Sequence, residues 1–300
     1  VAGSPVDGYR MRARLHVRGG WIGFFREGSH SICDAASTRQ LREDTIAVVS
    51  LLHSRLSGTD VVSEIELSEN IAGTERACHL ELRPDSDPSR LAAMTTIDGL
   101  TGVSCAPIDH PRTTELWGSP LVSDVVSGVT FTRHARSFFQ GNRFLLQPMV
   151  DHVLGLVPAS GSVLDLYAGV GLFSVTASAG GNRRVTAVEG DRFSAADLIR
   201  NAQPFDVDVR KESVEEFLRR GRATYAAVIV DPPRTGMSRD ALAGVVGLRA
   251  PVLVYVSCDV ATLARDARAL VESGYRISSA RAFDLFPNTA HVETVIAFER

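Results

Sequence analysis

Two side chains near the end of the 300-residue sequence have the chemistry of a nucleophile and a base. Cys258 closes the apolar run Pro251-Val252-Leu253-Val254-Tyr255-Val256-Ser257 and precedes Asp259-Val260-Ala261-Thr262-Leu263, the pattern of a strand running into a helix. The helix dipole and its free amides are expected to lower the thiol pKa and favour the thiolate. Without such a context the same residue would read as a small buried hydrophobe. Glu293 lies in His291-Val292-Glu293-Thr294-Val295, an acid inside an otherwise apolar strand, where it needs a partner or a task. A thiolate and a carboxylate can serve as nucleophile and general base.

A ligand site is expected at the turn Leu164-Asp165-Leu166-Tyr167-Ala168-Gly169-Val170-Gly171-Leu172-Phe173. Gly169 and Gly171 would let the backbone approach a ligand at the carboxyl end of the sheet. Glu189 follows Tyr167 by 22 positions at the end of the next strand, about where a ribose-binding acid belongs. Asp231-Pro232-Pro233-Arg234 ends a further strand, and its prolines fix an extended or turn conformation that holds the Asp at the sheet's edge. Position 174 is Ser, so the dinucleotide fingerprint is broken, and no phosphate-binding G-K-[ST] occurs. An adenosine ligand without a pyrophosphate fits, and S-adenosylmethionine is the candidate. Each element alone has a plainer reading: a tight turn for the glycines, a capped strand-to-helix turn for Asp231.

The elements that must position these residues alternate from about residue 143 onward. Strands are expected at 162–167, 184–188, 207–209, 226–230, 251–256, 276–283 and 291–298, and helices at 172–179, 192–203, 214–220, 239–248 and 261–273. Short apolar runs between amphipathic helices predict an α/β fold, a seven-stranded mostly parallel sheet covered on both faces, with the final strand antiparallel. A smaller α+β domain should precede it. Tyr9, Met11, Ala13, Leu15 and Val17 alternate with Arg10, Arg12, Arg14, His16 and Arg18, a strand that turns at Gly19-Gly20 into Trp21–Phe25. The arginine face is either an ordinary solvated face or a basic stripe for phosphates. Ser37 with Gln40 resembles a capping box for a helix carrying Leu41, Val48, Leu52 and Leu56 up to Gly58. The domains are expected at 1–125 and 126–300.

Composition excludes several classes. The chain is 44% hydrophobic and 22% charged, which argues against disorder and a disulfide scaffold. Cys33, Cys78, Cys105 and Cys258 form no C-x-x-C pair, so no metal site is expected and a reducing, cytoplasmic setting is. No apolar run reaches the roughly 20 residues of a membrane span, and the N-terminus is no signal peptide. The chain opens on Val1 rather than Met, as a trimmed N-terminus would. The net charge of −3 is uneven: residues 1–125 hold 12 Arg and 17 acids, residues 126–300 hold 20 basic residues and 18 acids.

Taken in order, LDLYAGVGLFSV, VIVDPPRTG, VYVSC with TLARD, and HVET resemble the RNA uracil-C5 methyltransferase family, which makes 5-methyluridine in tRNA and 23S rRNA. Ser137-Phe138-Phe139-Gln140-Gly141-Asn142 resembles that family's motif before the methyltransferase core, and Gly8–Arg14 the start of its central domain. The resemblance implies a Rossmann-like class I methyltransferase in which Gln140, Tyr167, Glu189 and Asp231 bind S-adenosylmethionine, Cys258 is the nucleophile and Glu293 the base. It implies RNA as partner, with the target base drawn out of its stack. Phe138, Phe139, Arg234, Arg133 and Arg136 are the expected substrate contacts, or else parts of an ordinary domain junction. The basic groups at Arg10–Arg18 and Arg133–Arg143 predict weak, salt-sensitive RNA affinity. No obligate protein partner and no membrane attachment are expected.

Departures from the family pattern are specific. Leu172 stands where many members have Asn, Cys258-Asp259-Val260 replaces Cys-Asn-Pro, and Ser213 takes a position often filled by a cofactor-contacting polar residue. The N-terminal RNA-binding module and the iron–sulfur cysteines of some members have no counterpart, so no cluster is expected. Two other readings stay open: a degenerate paralogue that grips RNA without chemistry, and a methyltransferase for another substrate such as cytosine C5. Which RNA and which uridine are modified, and the oligomeric state, are not encoded in these motifs.

Overall fold

The computed structural model describes residues 1–26, 28–91, 96–108, 110, 112–220 and 223–300. The chain divides into two compact units. The N-terminal unit comprises Pro5–Asp124 and Thr132–Arg143; the C-terminal unit comprises Val1–Ser4, Val125–Phe131 and Phe144–Arg300. The expected boundary at 125/126 is therefore crossed more than once. Residues 132–143, which the sequence reading placed with the second domain, fold with the first. Arg133 pairs there with Asp124 and Arg143 with Glu69, and Met11 N–H donates to the Gly141 carbonyl at 2.7 Å.

In the N-terminal unit, β1 (Arg12–Arg18) and β2 (Trp21–Phe25) form the expected hairpin, with Gly19 and Gly20 at φ 58° and 80°. With β3 (Ile32–Asp34), β4 (Val62–Glu69), β5 (Arg76–Leu82), β6 (Gly102–Pro107) and β7 (Thr114–Gly118) they make a sheet ordered β3-β2-β1-β4-β5-β6-β7, antiparallel except between β5 and β6. Ala13, Leu15, Ile65, Leu67 and Leu80 form its apolar face, in one core with Val48, Val49, Leu52 and Leu56 of α1 (Glu43–Leu56). That helix starts later than its sequence suggested. The Ser37 hydroxyl donates to the carbonyl of Asp34 (2.7 Å) inside a short 3₁₀ turn, so Ser37 caps nothing. The hairpin of β8 (Leu121–Val126) and β9 (Val129–His134) turns through Ser127 and Gly128, both at positive φ.

The C-terminal unit begins with α2 (Leu146–Leu156) and then alternates: β10 (Gly161–Leu166), α3 (Leu172–Ala179), β11 (Arg183–Val188), α4 (Arg192–Ala202), β12 (Val207–Arg210), α5 (Val214–Arg220), β13 (Ala227–Val230), α6 (Arg239–Leu248), β14 (Val252–Ser257), α7 (Val260–Glu272), β15 (Arg276–Phe283) and β16 (Glu293–Glu299). The strand order is β12-β11-β10-β13-β14-β16-β15. The first five strands are parallel, and β16 lies antiparallel between β14 and β15. Leu164, Leu166, Val228, Val230, Leu253 and Tyr255 are buried in one core with Val214, Ala241, Val245, Leu263 and Leu270 from the helices. Strand order reverses between β10 and β13, and in such sheets the crevice at the carboxyl ends of the reversing strands takes the ligand. Among the described residues no helix is long and apolar enough to cross a membrane.

Candidate active site

The turn after β10 is strained where the sequence did not announce it. Tyr167 sits in the left-handed region at φ 61°, followed by Gly169 at 58° and Gly171 at 95°. A non-glycine residue there costs about 1–2 kcal/mol, which the surrounding packing must offset. Gly171 caps α3, and a Cβ on it would lie 2.7 Å from both Leu198 Cδ1 and Val175 Cγ2. Glu189, just past β11, ties the turn down: its Oε2 accepts the Gly169 N–H at 2.7 Å and its Oε1 the Asp191 N–H at 2.6 Å. Burial raises the Glu189 pKa, and those amides oppose the rise.

Asp165, which sequence reasoning passed over, is fully buried in β10. Its Oδ2 accepts the Ser174 N–H at 2.9 Å, while its Oδ1 is buried without a hydrogen-bond partner. Burial pushes its pKa up to about 7; Ser174 pulls the other way, and the charges of Asp231 and Glu189 add to the rise. The signal that would have found it is the one used for Glu293, an acid in an apolar strand. Three carboxyl groups thus stand near one another at the ends of β10, β11 and β13.

Cys258 and Glu293 are brought together by strand register. Ser257 pairs with Thr294 across the antiparallel β14–β16 ladder, so one further step sets Cys258 opposite Glu293. Glu293 is 2% exposed, and its pKa is raised well above the ordinary carboxylate value by burial first and by Asp231 second, with Arg234 opposing. The positive charge of Arg234, on the loop after β13, favours the Cys258 thiolate. The expected lowering of the thiol pKa is overturned. Burial, Glu293 and Asp231 raise it, and Arg234 alone among its named neighbours pulls it down. At the helix start Asp259 takes the cap, its carboxylate accepting the Thr262 N–H at 2.8 Å.

That cap also answers two of the sequence departures. Asp259 performs the capping that Asn does equally well, and Val260 opens the helix without Pro. Ser213 caps α5 in a reciprocal box, its Oγ accepting the Glu216 N–H at 3.2 Å and donating to Glu216 Oε2 at 3.1 Å. Leu172 opens α3 and is 6% exposed.

The five remaining sequence candidates belong to the N-terminal unit. Arg133, expected to touch RNA, is fully buried and presents no surface to a substrate. It pairs with Asp124, donates to the Glu69 carbonyl at 2.8 Å and stacks at 4.0 Å over the ring of Phe139, itself 3% exposed. Gln140 is 4% exposed. Arg136 is half-buried, and Phe138 is exposed beneath the Arg12 guanidinium. The expected basic stripe on β1 is no free patch either. Glu64 and Glu66 of β4 lie in register opposite His16 and Arg14. Arg12 pairs with Glu66 at 2.8 Å, and Arg14 with Glu66 at 2.6 Å and Glu64 at 3.4 Å. Arg143 is likewise buried against Glu69. Cys33 is half-exposed, its sulfur 3.5 Å from Ser37 Oγ.

The family model described as tRNA (Uracil-5-)-methyltransferase matches residues 125–300. The chain belongs to that family. An uncharacterized RNA methyltransferase of Thermotoga maritima is 35% identical over 60% of this chain, which spans only 42% of that relative's length. The 23S rRNA (uracil(1939)-C(5))-methyltransferase of Pseudomonas putida is 31% identical over 99% of this chain and 69% of its own. Among solved structures, the Pyrococcus abyssi tRNA (uracil-54, C5)-methyltransferase in complex with S-adenosyl-L-homocysteine superposes with a TM-score of 0.75 at 24% identity, covering 99% of this chain and 78% of that one. That likeness gives the fold: a Rossmann-like class I methyltransferase sheet joined to a smaller α+β unit.

Proposed function

We propose that this chain transfers a methyl group from S-adenosylmethionine to C5 of a uridine in tRNA or 23S rRNA, through a covalent bond between Cys258 and C6. The observation that carries the reading is Cys258 opposite Glu293 in the β14–β16 register. Uracil C5 is a poor carbon nucleophile. Addition of the Cys258 thiolate to C6 moves the C5–C6 electron pair toward C4–O4 as an enolate, and C5 becomes reactive. C5 bonds the methyl carbon, Glu293 removes the C5 proton, and the C6–Sγ bond breaks as the double bond returns. One proton is released per methyl transferred, and Cys258 is regenerated. A carboxyl whose pKa burial has raised is a stronger base for that abstraction. Arg234 supplies the positive charge that favours the thiolate against its two acidic neighbours.

The residues fit the donor. Asp165, Glu189 and Asp231 make a desolvated negative cradle, with Asp165 Oδ1 buried and unpartnered. A sulfonium, an ammonium and ribose hydroxyls are what such oxygens bind. When bound, S-adenosylmethionine supplies an electrophilic methyl group. Tyr167, Glu189, Asp231 and the backbone of Gly169 and Gly171 would hold it; Gln140 is assigned by family resemblance alone. The S-adenosyl-L-homocysteine on the Pyrococcus abyssi protein, the donor after methyl loss, supports the choice. RNA recognition is assigned to the N-terminal unit, with exposed Phe138 as the stacking candidate. Because β4 acids compensate the β1 arginines, weak and salt-sensitive binding is the expectation. Four free cysteines fit a reducing cytoplasm.

The test is transfer of labelled methyl from S-adenosylmethionine to unmodified tRNA or 23S rRNA, with product nucleosides identified by mass spectrometry. Equal incorporation by the parent and Cys258→Ala would remove Cys258 as nucleophile. RNA containing 5-fluorouridine should trap a thiol-dependent covalent complex, since fluorine at C5 leaves no proton for Glu293 to take. A protein that binds this RNA without trapping it is a binding paralogue, and 5-methylcytidine in place of 5-methyluridine moves the substrate to cytosine.

A further inference from the structure

Arg234 is exposed on the loop that follows β13, and its charge favours the Cys258 thiolate. What fixes the loop comes from one face of α7. Thr262 Oγ1 lies 3.1 Å from the Arg234 carbonyl and 3.2 Å from the Asp259 carbonyl, so its proton is shared between the loop and the helix start. Arg265 donates to the carbonyls of Thr235 and Met237, both at 3.1 Å. Asp266, fully buried, accepts the Met237 N–H at 2.9 Å and the Tyr255 hydroxyl at 2.7 Å through Oδ2, and the Arg265 Nε–H at 2.8 Å through Oδ1. Positions 262, 265 and 266 share a helix face by their spacing. Gly236 makes the close approach possible: at φ 72°, a Cβ there would lie 2.5 Å from Arg265 and 2.7 Å from Asp266.

We infer that Arg265 and Asp266 are positioning residues that hold the loop carrying Arg234 beside the end of β14 that carries Cys258. The geometry carries this. Asp266 joins three pieces at once: β14 through Tyr255, three residues before Cys258; the Arg234 loop through Met237; and α7, which starts two residues after Cys258. The loop that brings the charge and the strand end that brings the sulfur are therefore referenced to one buried carboxylate. Arg265 extends the clamp to the loop's carbonyls while half of its own side chain stays in solvent. The inference rests on the reading of Cys258 as a nucleophile steadied by Arg234, and its test needs neither RNA nor donor.

The experiment measures alkylation of Cys258 by iodoacetamide across pH in the full chain, read on the Cys258 peptide by mass spectrometry. Arg234→Ala, Arg265→Ala, Asp266→Asn and the Arg234→Ala/Arg265→Ala pair are compared with the parent. Arg265→Ala should slow alkylation at neutral pH by about threefold, the scale of one partly exposed charge contact, and move the profile toward higher pH. Because Arg265→Ala also takes the cation from the buried Asp266 carboxylate, its melting temperature should fall. Arg265→Lys, which keeps the charge, is included to hold the fold while the carbonyl contacts are altered. Asp266→Asn, of the same shape, should move the profile in the same direction. The double variant should behave as Arg234→Ala does, because Arg265 acts through Arg234. An unmoved profile in Arg265→Ala and Asp266→Asn, with Arg234→Ala displaced, overturns the positioning role alone. Additive effects in the double variant overturn it too. An unmoved profile in Arg234→Ala refutes the action of Arg234 on the thiol, and the inference falls with it.

Discussion

Replacing Glu293 with Gln keeps the shape of a side chain that is 2% exposed and removes only its capacity to take a proton. Burial and the neighbouring Asp231 already push the carboxyl toward its neutral form, which an amide imitates, so the variant should fold with an unchanged or slightly higher melting temperature. The chemical loss is much larger. A positioned general base is worth about 10²–10⁴ in rate, or roughly 2.7–5.4 kcal/mol of barrier. The block also has a definite place in the sequence of steps. Addition of Cys258 and methyl transfer precede proton loss, so the variant should stall with the methylated base still bonded to sulfur. Ordinary uridine RNA and labelled donor should then give a protein–RNA species that survives a denaturing gel and carries the label, while the parent gives free methylated RNA. A Glu293→Gln enzyme that turned over within tenfold of the parent and left no covalent species would refute the assignment, and the base would have to be sought elsewhere.

Other consequences can be measured directly. Cys258 and Glu293 both react in their deprotonated forms and both have raised pKa values, so kcat/KM should fall on the acid side and climb through neutrality; a flat profile from pH 6 to 9 would contradict this. Asp165 titrates near 7 in the folded chain against about 4 unfolded, so the native state holds the extra proton between those values and stability falls as pH rises across them. Asp165→Asn should flatten that dependence and gain roughly 2–4 kcal/mol at pH 8 in urea unfolding. Arg133→Ala strands the buried Asp124 carboxylate and should cost about 3–5 kcal/mol, whereas Phe138→Ala should cost under about 1 kcal/mol and raise KM for RNA. Gly171→Ala combines φ 95° with two 2.7 Å approaches and should destabilise by about 2–4 kcal/mol in calorimetry.

What the sequence disclosed followed from periodicity. Tyr9, Met11, Ala13 and Leu15 are buried as their alternation required, and helices 172–179, 214–220 and 239–248 run where expected because short apolar strands bracket them. The helix Leu146–Leu156 was missed: it lacks a capping side chain, and Pro148, harmless in a first turn, reads as a breaker. Cys258 and Glu293 were visible as chemistry, but the register joining them is a property of the ladder. Charge was the least legible quantity. The acids that neutralise Arg12 and Arg14 lie some 50 residues away on β4, the partners of Arg133 lie across a hairpin and on another strand, and nothing in the Cys258 run revealed that Asp259 would take the helix start for itself.

The discontinuous division of the chain bears on where it can be cut. A chain cut once near residue 125 would keep Glu69 and Asp124 without Arg143 and Arg133: Asp124 would lose its buried cation, and Glu69 would keep only Arg76 and Arg42. The motif stretch 132–143 is therefore expected to lose its buried partners when it is separated from the sheet that precedes it, and a fragment starting at 144 to be the more stable piece in urea unfolding.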